Sequence, residues 1–291
     1  MVILKSLLPW WLKILIKIFI YRIPIGHQYW IKLNLFKHGY PENKELSLEK
    51  FKHHLKLTFG DKLPEKYTCL ELGPGDSIST GIIAAHNNAV HTYLVDVGNF
   101  AIKDINYYRG LIKLIRKTKN QKEIREIYPE SYSDILKTYH INYFTNGLHS
   151  LRNIPDGSVD FIFSHSVIEH IFLSEIDEVF SELNRICSKG GYISHNIDLM
   201  DHLNYSINNL RFSERIWESY FFKNSGFYTN RLRFSQIIEL CKRHKFEVIY
   251  SDSGQWENIP LDRRKLNKDF RNLSRKDLIT RTMHIVLKKT N

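Results

Sequence analysis

The sequence predicts an α/β fold with a mostly parallel sheet covered by helices on both faces. Three observations predict it. From Tyr67 onward, short apolar runs alternate with longer amphipathic ones, as strand–helix–strand units around a parallel sheet require. A glycine loop, Gly73-Pro74-Gly75-Asp76-Ser77, follows the first apolar run and opens a helix. Asp96 closes the second run, 25 residues after Glu71, near the spacing at which doubly wound folds set a carboxylate on ribose hydroxyls.

Taken in order, the apolar runs read as strands near 67–72, 91–97, 141–144, 160–164, 192–197, 246–251 and 281–287. The clearest amphipathic stretches read as helices near 77–87, 102–117, 174–187 and 235–244. Two connections, near 117–140 and 200–233, are long for this architecture, and long connections carry specificity. Gly60-Asp61 and Pro64 punctuate the chain before the first strand. The expected organisation is therefore a helical arm over 1–60 and one domain over 61–291.

The 291 residues are 43% hydrophobic and 25% charged, which excludes disordered and collagen-like chains. Cys69, Cys187 and Cys241 are scattered and odd in number. They form no disulfide framework and no cysteine-based zinc site, and they fit a reducing compartment, so the cytoplasm is the expected location. The net charge of +11 attracts nucleic acid, anionic lipid or a phosphorylated substrate, the other reading being a basic, soluble surface.

The arm is unlike the rest. Residues 1–41 carry Lys5, Lys13, Lys17, Arg22, Lys32 and Lys37 and no acid. The run LLPWWLKILIKIFIY over 7–21 is broken only by Lys13 and Lys17, which share one face of a helix. Pro9 suits a first turn, and Trp10 and Trp11 suit a water–lipid boundary. Two readings stay open: a helix lying in an anionic membrane surface through residues 1–22, or a helix packed on the body of the protein. The run is too short and too interrupted for a transmembrane span, and it lacks the cleavage site of a secretory signal.

The first loop points to a cofactor. Gly73 and Gly75 let the backbone turn sharply and approach a ligand. A dinucleotide fingerprint would have a third glycine where Ile78 stands. Glu71 and Asp76 would repel a pyrophosphate but suit a cationic amino-acid end. The loop therefore favours S-adenosylmethionine over NAD, with Asp96 on the ribose. The other reading of Asp96 is a helix cap or turn residue.

Four motifs then appear in order: Glu71-Leu72-Gly73-Pro74-Gly75-Asp76; Tyr93-Leu94-Val95-Asp96-Val97; 154–164 continuing to Ser166-Val167-Ile168-Glu169-His170; and 183–191. Together they resemble the class I S-adenosylmethionine-dependent methyltransferases. The LVDVGNF and NRLRFS segments are similar to bacterial methyltransferases linked to surface polysaccharide biosynthesis. The resemblance implies a Rossmann-like sheet of seven strands with an antiparallel hairpin last. It implies Glu71, Gly73, Gly75, Asp76 and Ser77 around the methionine end of the cofactor, Asp96 and Val97 at the ribose, and Asn146 and Gly147 beside the adenine. Ser164 and His165 would stand where methyl group and substrate meet.

Methyl transfer from a sulfonium is largely a matter of alignment, and a hydroxyl acceptor gains from a base. His165 and His195 are the candidate bases, with His170 as a further catalytic candidate in a Glu169-His170 pair that also has a structural reading. Asp198, Asp201 and His202 cluster after the fifth strand. No metal is expected, because Ser166 stands where a related subset has a metal-binding glutamate. Aromatics and arginines over 212–234, including Trp217, Tyr228, Arg231 and Arg233, suit a phosphorylated sugar or a packed cap. The expected function is O-methylation of a sugar or glycan precursor near the cytoplasmic membrane face. The alternatives are a small-molecule or RNA methyltransferase, or a non-catalytic cofactor-binding scaffold. The lack of a D/N-P-P-Y/F step, a Pro-Cys pair or an RNA module argues against nucleic acid.

Overall fold

The computed structural model describes residues 9–20, 22, 43–118 and 129–290. The expectations for Lys5, Lys32 and Lys37, and for part of the first long connection, lie outside these residues. The described chain forms a seven-stranded sheet in the order β3-β2-β1-β4-β5-β7-β6. Its strands are β1 (Tyr67–Leu72), β2 (Ala89–Val95), β3 (Ile141–Phe144), β4 (Val159–His165), β5 (Cys187–Asp198), β6 (Phe246–Gln255) and β7 (Thr280–Lys289). The first five pair in parallel, and β7 runs antiparallel to both β5 and β6. This is the predicted Rossmann-like arrangement, including the closing hairpin. Strand order reverses between β1 and β4, so the loops leaving their carboxyl ends part there and open a crevice.

Helices cover both faces. The helices over Lys44–Phe59, Ser79–Ala85 and Ile105–Thr118 pack on one side with Phe161 and Phe163. Those over Ile176–Ile186 and Phe234–Arg243 pack on the other with Leu70, Ile162, Ile193 and Ile285. We call Trp10–Ile20 helix α1 and Lys44–Phe59 helix α2. Asn43 caps α2 by accepting from Leu46 N at 2.9 Å, as short polar side chains do at helix starts. The sequence reading grouped α2 with the arm. Leu48, Phe51 and Leu55 are instead buried in the main core, each contributing about 1.5–3 kcal/mol by burial.

The second long connection forms a cap. It holds short helices at Glu214–Trp217 and Tyr220–Lys223. Leu203, Trp217, Phe227 and Tyr228 form its core, and Ile14 of α1 packs into it, with Trp10 and Ile18 alongside. Positions 10, 14 and 18 share a helix face. Lys17 donates to the His202 carbonyl at 3.1 Å and Lys13 to Asn204 Oδ1 at 3.3 Å. The lysines thus bond the cap loop rather than form a free basic stripe. The next face leaves Trp11, Leu15 and Phe19 exposed. Among the described residues, no helix is long and apolar enough to cross a membrane.

A further segment, 256–279, was not anticipated. It joins β6 to β7 and buries Leu266 and Leu278 against Ile207 and Leu210 of the cap. Arg233 pins the three pieces together. Fully buried, it donates to the carbonyls of Leu199, Asp277 and Thr280. Burial lowers its pKa to about 10, which leaves it charged. Replacing it with methionine strands three buried carbonyls. Arg233→Met is expected to cost about 3 kcal/mol or more, read as a lower denaturant midpoint in equilibrium unfolding.

Candidate active site

The crevice is built on the loop after β1. Gly73 has φ +67° and donates to Val95 O at 2.8 Å. A Cβ there would meet Val167 Cγ2 at 2.5 Å, so only glycine lets the β1 and β4 loops pass. Gly75, at φ +66°, donates to Asp96 Oδ2 at 2.9 Å, and Val97 N donates to Asp96 Oδ1 at 2.7 Å. Asp96 therefore shapes the loop with the same carboxylate that resemblance assigns to a ribose. Gly147, at φ +50°, donates to Asp96 O at 2.8 Å. An ideal Cβ on Gly147 would stand 3.3 Å from Val97 Cγ1, and Val97 is 77% exposed. Val97, Asn146 and Gly147 therefore come together at one open edge. Asn146 N is held by Ser150 Oγ at 3.0 Å.

At the other end of the loop, Asp76 and Glu71 are buried while Ser77 is half-buried and bonds Ser79. Glu71 Oε2 has no hydrogen-bond partner, and burial pushes this carboxyl up to about 7. An unsatisfied buried acid beneath a glycine loop fits the cationic amino-acid end of S-adenosylmethionine, which would return it to the ionised form.

The candidate bases separate. His165 ends β4 on the α2 side, half-buried, with its Nδ1 3.4 Å from His54 Nε2. Burial, then Lys50, lowers it to about 4, so it is neutral at pH 7. His195 points to the opposite face. It is fully buried, packs on Phe180 and bonds Ser164 Oγ through Nδ1 at 2.8 Å. This corrects two expectations: His195 has no route to an acceptor, and the Ser164 side chain serves the core rather than the cofactor crevice. Residues alternate in direction along a strand, so adjacent Ser164 and His165 were bound to diverge.

His170 is exposed at the turn after β4. Its Nδ1 meets Tyr228 O at 3.0 Å, and its ring stacks on His202 with centroids 4.9 Å apart. Glu169 is buried, and burial pushes it up to about 8. Arg231, Arg233 and Trp217 of the cap face inward, while Tyr220 and Phe221 stand exposed: Arg231 donates to Asn209 O and Phe212 O, and Trp217 Nε1 to Thr229 O. They form a packed cap rather than a grip on phosphate.

Sequence reading missed a histidine network on the α2 side. Ser194 Oγ lies 2.8 Å from His54 Nδ1 and 2.9 Å from His284 Nε2, and the His53 ring meets His284 edge-on with centroids 5.1 Å apart. Only period-two alternation along β5, which puts Ser194 opposite in face to His195, hinted at a second polar layer.

Residues 70–194 match the family described as a methyltransferase domain. The fold is the Rossmann-like one of class I methyltransferases, and the glycine crevice with its buried acids fits S-adenosylmethionine as the methyl donor of a methyltransferase. No curated protein matches the chain. Solved structures with a similar chain path include the N-methyltransferase NodS of Bradyrhizobium japonicum, at 11% identity over 84% of this chain and 87% of that one, TM-score 0.44. Others are a S-adenosylmethionine-dependent methyltransferase of Methanosarcina mazei, at 15% identity over 78% and 94%, TM-score 0.47, and the geranyl diphosphate C-methyltransferase of Streptomyces coelicolor, at 11% over 85% and 79%, TM-score 0.47.

Two outcomes follow from this geometry. Asp96→Ala removes the acceptor for two backbone N–H groups that shape the crevice, and the carboxylate that the resemblance assigns to the ribose. Calorimetric titration should show S-adenosylmethionine affinity reduced about 10–100-fold, the equivalent of one charged hydrogen bond. The second concerns acid. Burial holds His165 and His284 near about 4, His195 near about 3, and His54 well below its ordinary value. As pH falls through about 6.5, the unfolded chain takes up protons on these rings before the folded one does, so their stability is full above that pH and lost down to about 4. Glu71 and Glu169, at about 7 and about 8, act oppositely. Burial also lowers His91 and His202 and raises Asp96 and Asp198, so six rings against four carboxyls leave a net loss. The melting temperature should fall between about pH 7 and about pH 5, and a rise would refute the assignment.

Proposed function

We propose that the protein transfers a methyl group from S-adenosylmethionine to a hydroxyl of a sugar or glycan precursor held at a membrane surface. The observation that carries this reading is the outer face of α1 and the cap. Trp11, Leu15 and Phe19 stand exposed on α1, and Ile216, Tyr220 and Phe221 on the cap. The Arg22 guanidinium lies 4.8 Å over the Phe221 ring and joins the two. An apolar face in a segment that carries four further cations besides the two lysines bonded to the cap loop, and no acid over residues 1–41, suits an anionic lipid interface. Each side chain that becomes fully buried adds about 1.5–3 kcal/mol, and each cation near an anionic surface about 1 kcal/mol, enough for reversible binding. A lipid-tethered acceptor would make that proximity useful. The similarity of the LVDVGNF and NRLRFS segments to polysaccharide-linked methyltransferases supports the acceptor class.

In this reading, S-adenosylmethionine supplies a methyl group already activated on a sulfonium. His165 accepts the hydroxyl proton. A ring that is neutral at pH 7 and a weak base suffices where the leaving group is good. The crevice residues Glu71, Gly73, Gly75 and Asp96 orient the donor.

The test uses the full-length protein with radiolabelled S-adenosylmethionine. Vesicles of phosphatidylglycerol carrying lipid-linked sugars should be labelled, and RNA should not. Leu15→Glu combined with Phe19→Glu should reduce vesicle flotation at least about tenfold without changing S-adenosylmethionine affinity. Labelling of RNA with steep salt dependence and no flotation of the wild type would overturn the proposal.

A further inference from the structure

We propose that Glu169, His170 and His202 form a binding site for one divalent first-row transition cation. One ligand atom from each residue falls within 4.8 Å of the others, so a single ion can touch all three. They come from two segments distant in sequence, the turn after β4 and the cap loop after β5.

Each ligand is prepared for the role. Glu169 is 3% exposed, its Oε1 accepts from Asp198 N at 3.2 Å, and its Oε2 has no partner. A buried carboxylate oxygen without a donor costs free energy unless something cationic meets it. The Nε2 of His202 is likewise buried without a partner. The Nδ1 of His170 lies 3.0 Å from Tyr228 O. A carbonyl only accepts, so Nδ1 carries the proton. Metal-ligating histidines are oriented in this way by an outer carbonyl.

The supporting shell is rigid. Asn230 donates from its backbone to Glu169 O at 2.8 Å, and from Nδ2 to Ile168 O and Ile171 O, which straps the cap onto the turn. The buried carboxylate of Asp201, beside His202, accepts from Leu203 N, Asn204 N and Asn208 N. The Lys17 ammonium lies near His202 and donates to its carbonyl. Its charge opposes a cation, while the Glu169 carboxylate favours one. His170 is exposed, so an ion has a way in.

Two imidazoles and one carboxylate are borderline ligands. They suit Zn2+, Co2+, Fe2+ or Mn2+ rather than Ca2+ or Mg2+, which prefer oxygen. Three protein ligands leave a coordination position for water or an acceptor oxygen. The ligands follow the carboxyl ends of β4 and β5, the edge on which acceptors meet cofactors in open α/β sheets. The cation site does not depend on which acceptor is methylated.

The experiment is a Co2+ titration of the untagged full-length protein, followed by visible d–d absorption. The wild type should show one saturable site. His170→Gln, His202→Asn and Glu169→Gln should each weaken it at least about tenfold, with S-adenosylmethionine binding and circular dichroism retained. His170 is exposed, so its variant reports even if the buried substitution unfolds the turn. No saturable band in the wild type, or an unchanged affinity in His170→Gln and His202→Asn, would overturn the site. S-adenosylmethionine titrations on the same samples keep that failure distinct from a failure of the methyltransferase reading.

Discussion

One carboxylate holds the crevice in shape. Asp96 receives Gly75 N from the β1 loop and Val97 N from its own strand end. Its backbone receives Gly147 N and donates to Phe144 O, so a single residue ties together the carboxyl ends of three adjacent strands. Charged hydrogen bonds are the strong ones, and here they act where three loops would otherwise diverge. The glycine turn, the open slot beside Val97 and the approach of the Val167 loop to Gly73 all presuppose that tie.

A second layer is laid over this frame. The cap closes on the β4 turn through Asn230 and Tyr228, and α1 closes on the cap through Ile14. Arg233 anchors the cap to the base of β7. The cap thus meets the β4 turn at Ile168, next to Val167, whose side chain lies against Gly73 of the loop after β1.

The parallel sheet and cofactor loop were legible because both are written locally. Runs of apolar residues at strand length and glycines at fixed offsets need no knowledge of distant partners. What stayed hidden was direction and long-range pairing. His165 and His195 look equivalent as strand-end histidines, yet they face opposite layers. Arg231 and Arg233 look like anion ligands, yet their guanidinium groups meet backbone carbonyls 19 to 47 residues away. His202 meets His170 only because the cap folds back. The lysines of α1 share one helix face that suited either a membrane surface or the body of the protein, and they bond the cap loop because the helix packs on it.

The Ser194 hydroxyl between His54 and His284 raises a question of proton inventory. A hydroxyl has one hydrogen and two lone pairs, so at least one of the two rings must offer it an N–H. If His54 does so from Nδ1, its Nε2 is bare and accepts from His165 Nδ1, across 3.4 Å. The far nitrogen of His165 then has a free lone pair. If Ser194 instead donates to His54, the proton on that ring moves to Nε2, and His165 keeps its hydrogen on the outward nitrogen. Two mirror-image polarities of one buried wire thus correspond to a receptive and an unreceptive outer atom. The choice is made at a serine that no acceptor ever touches.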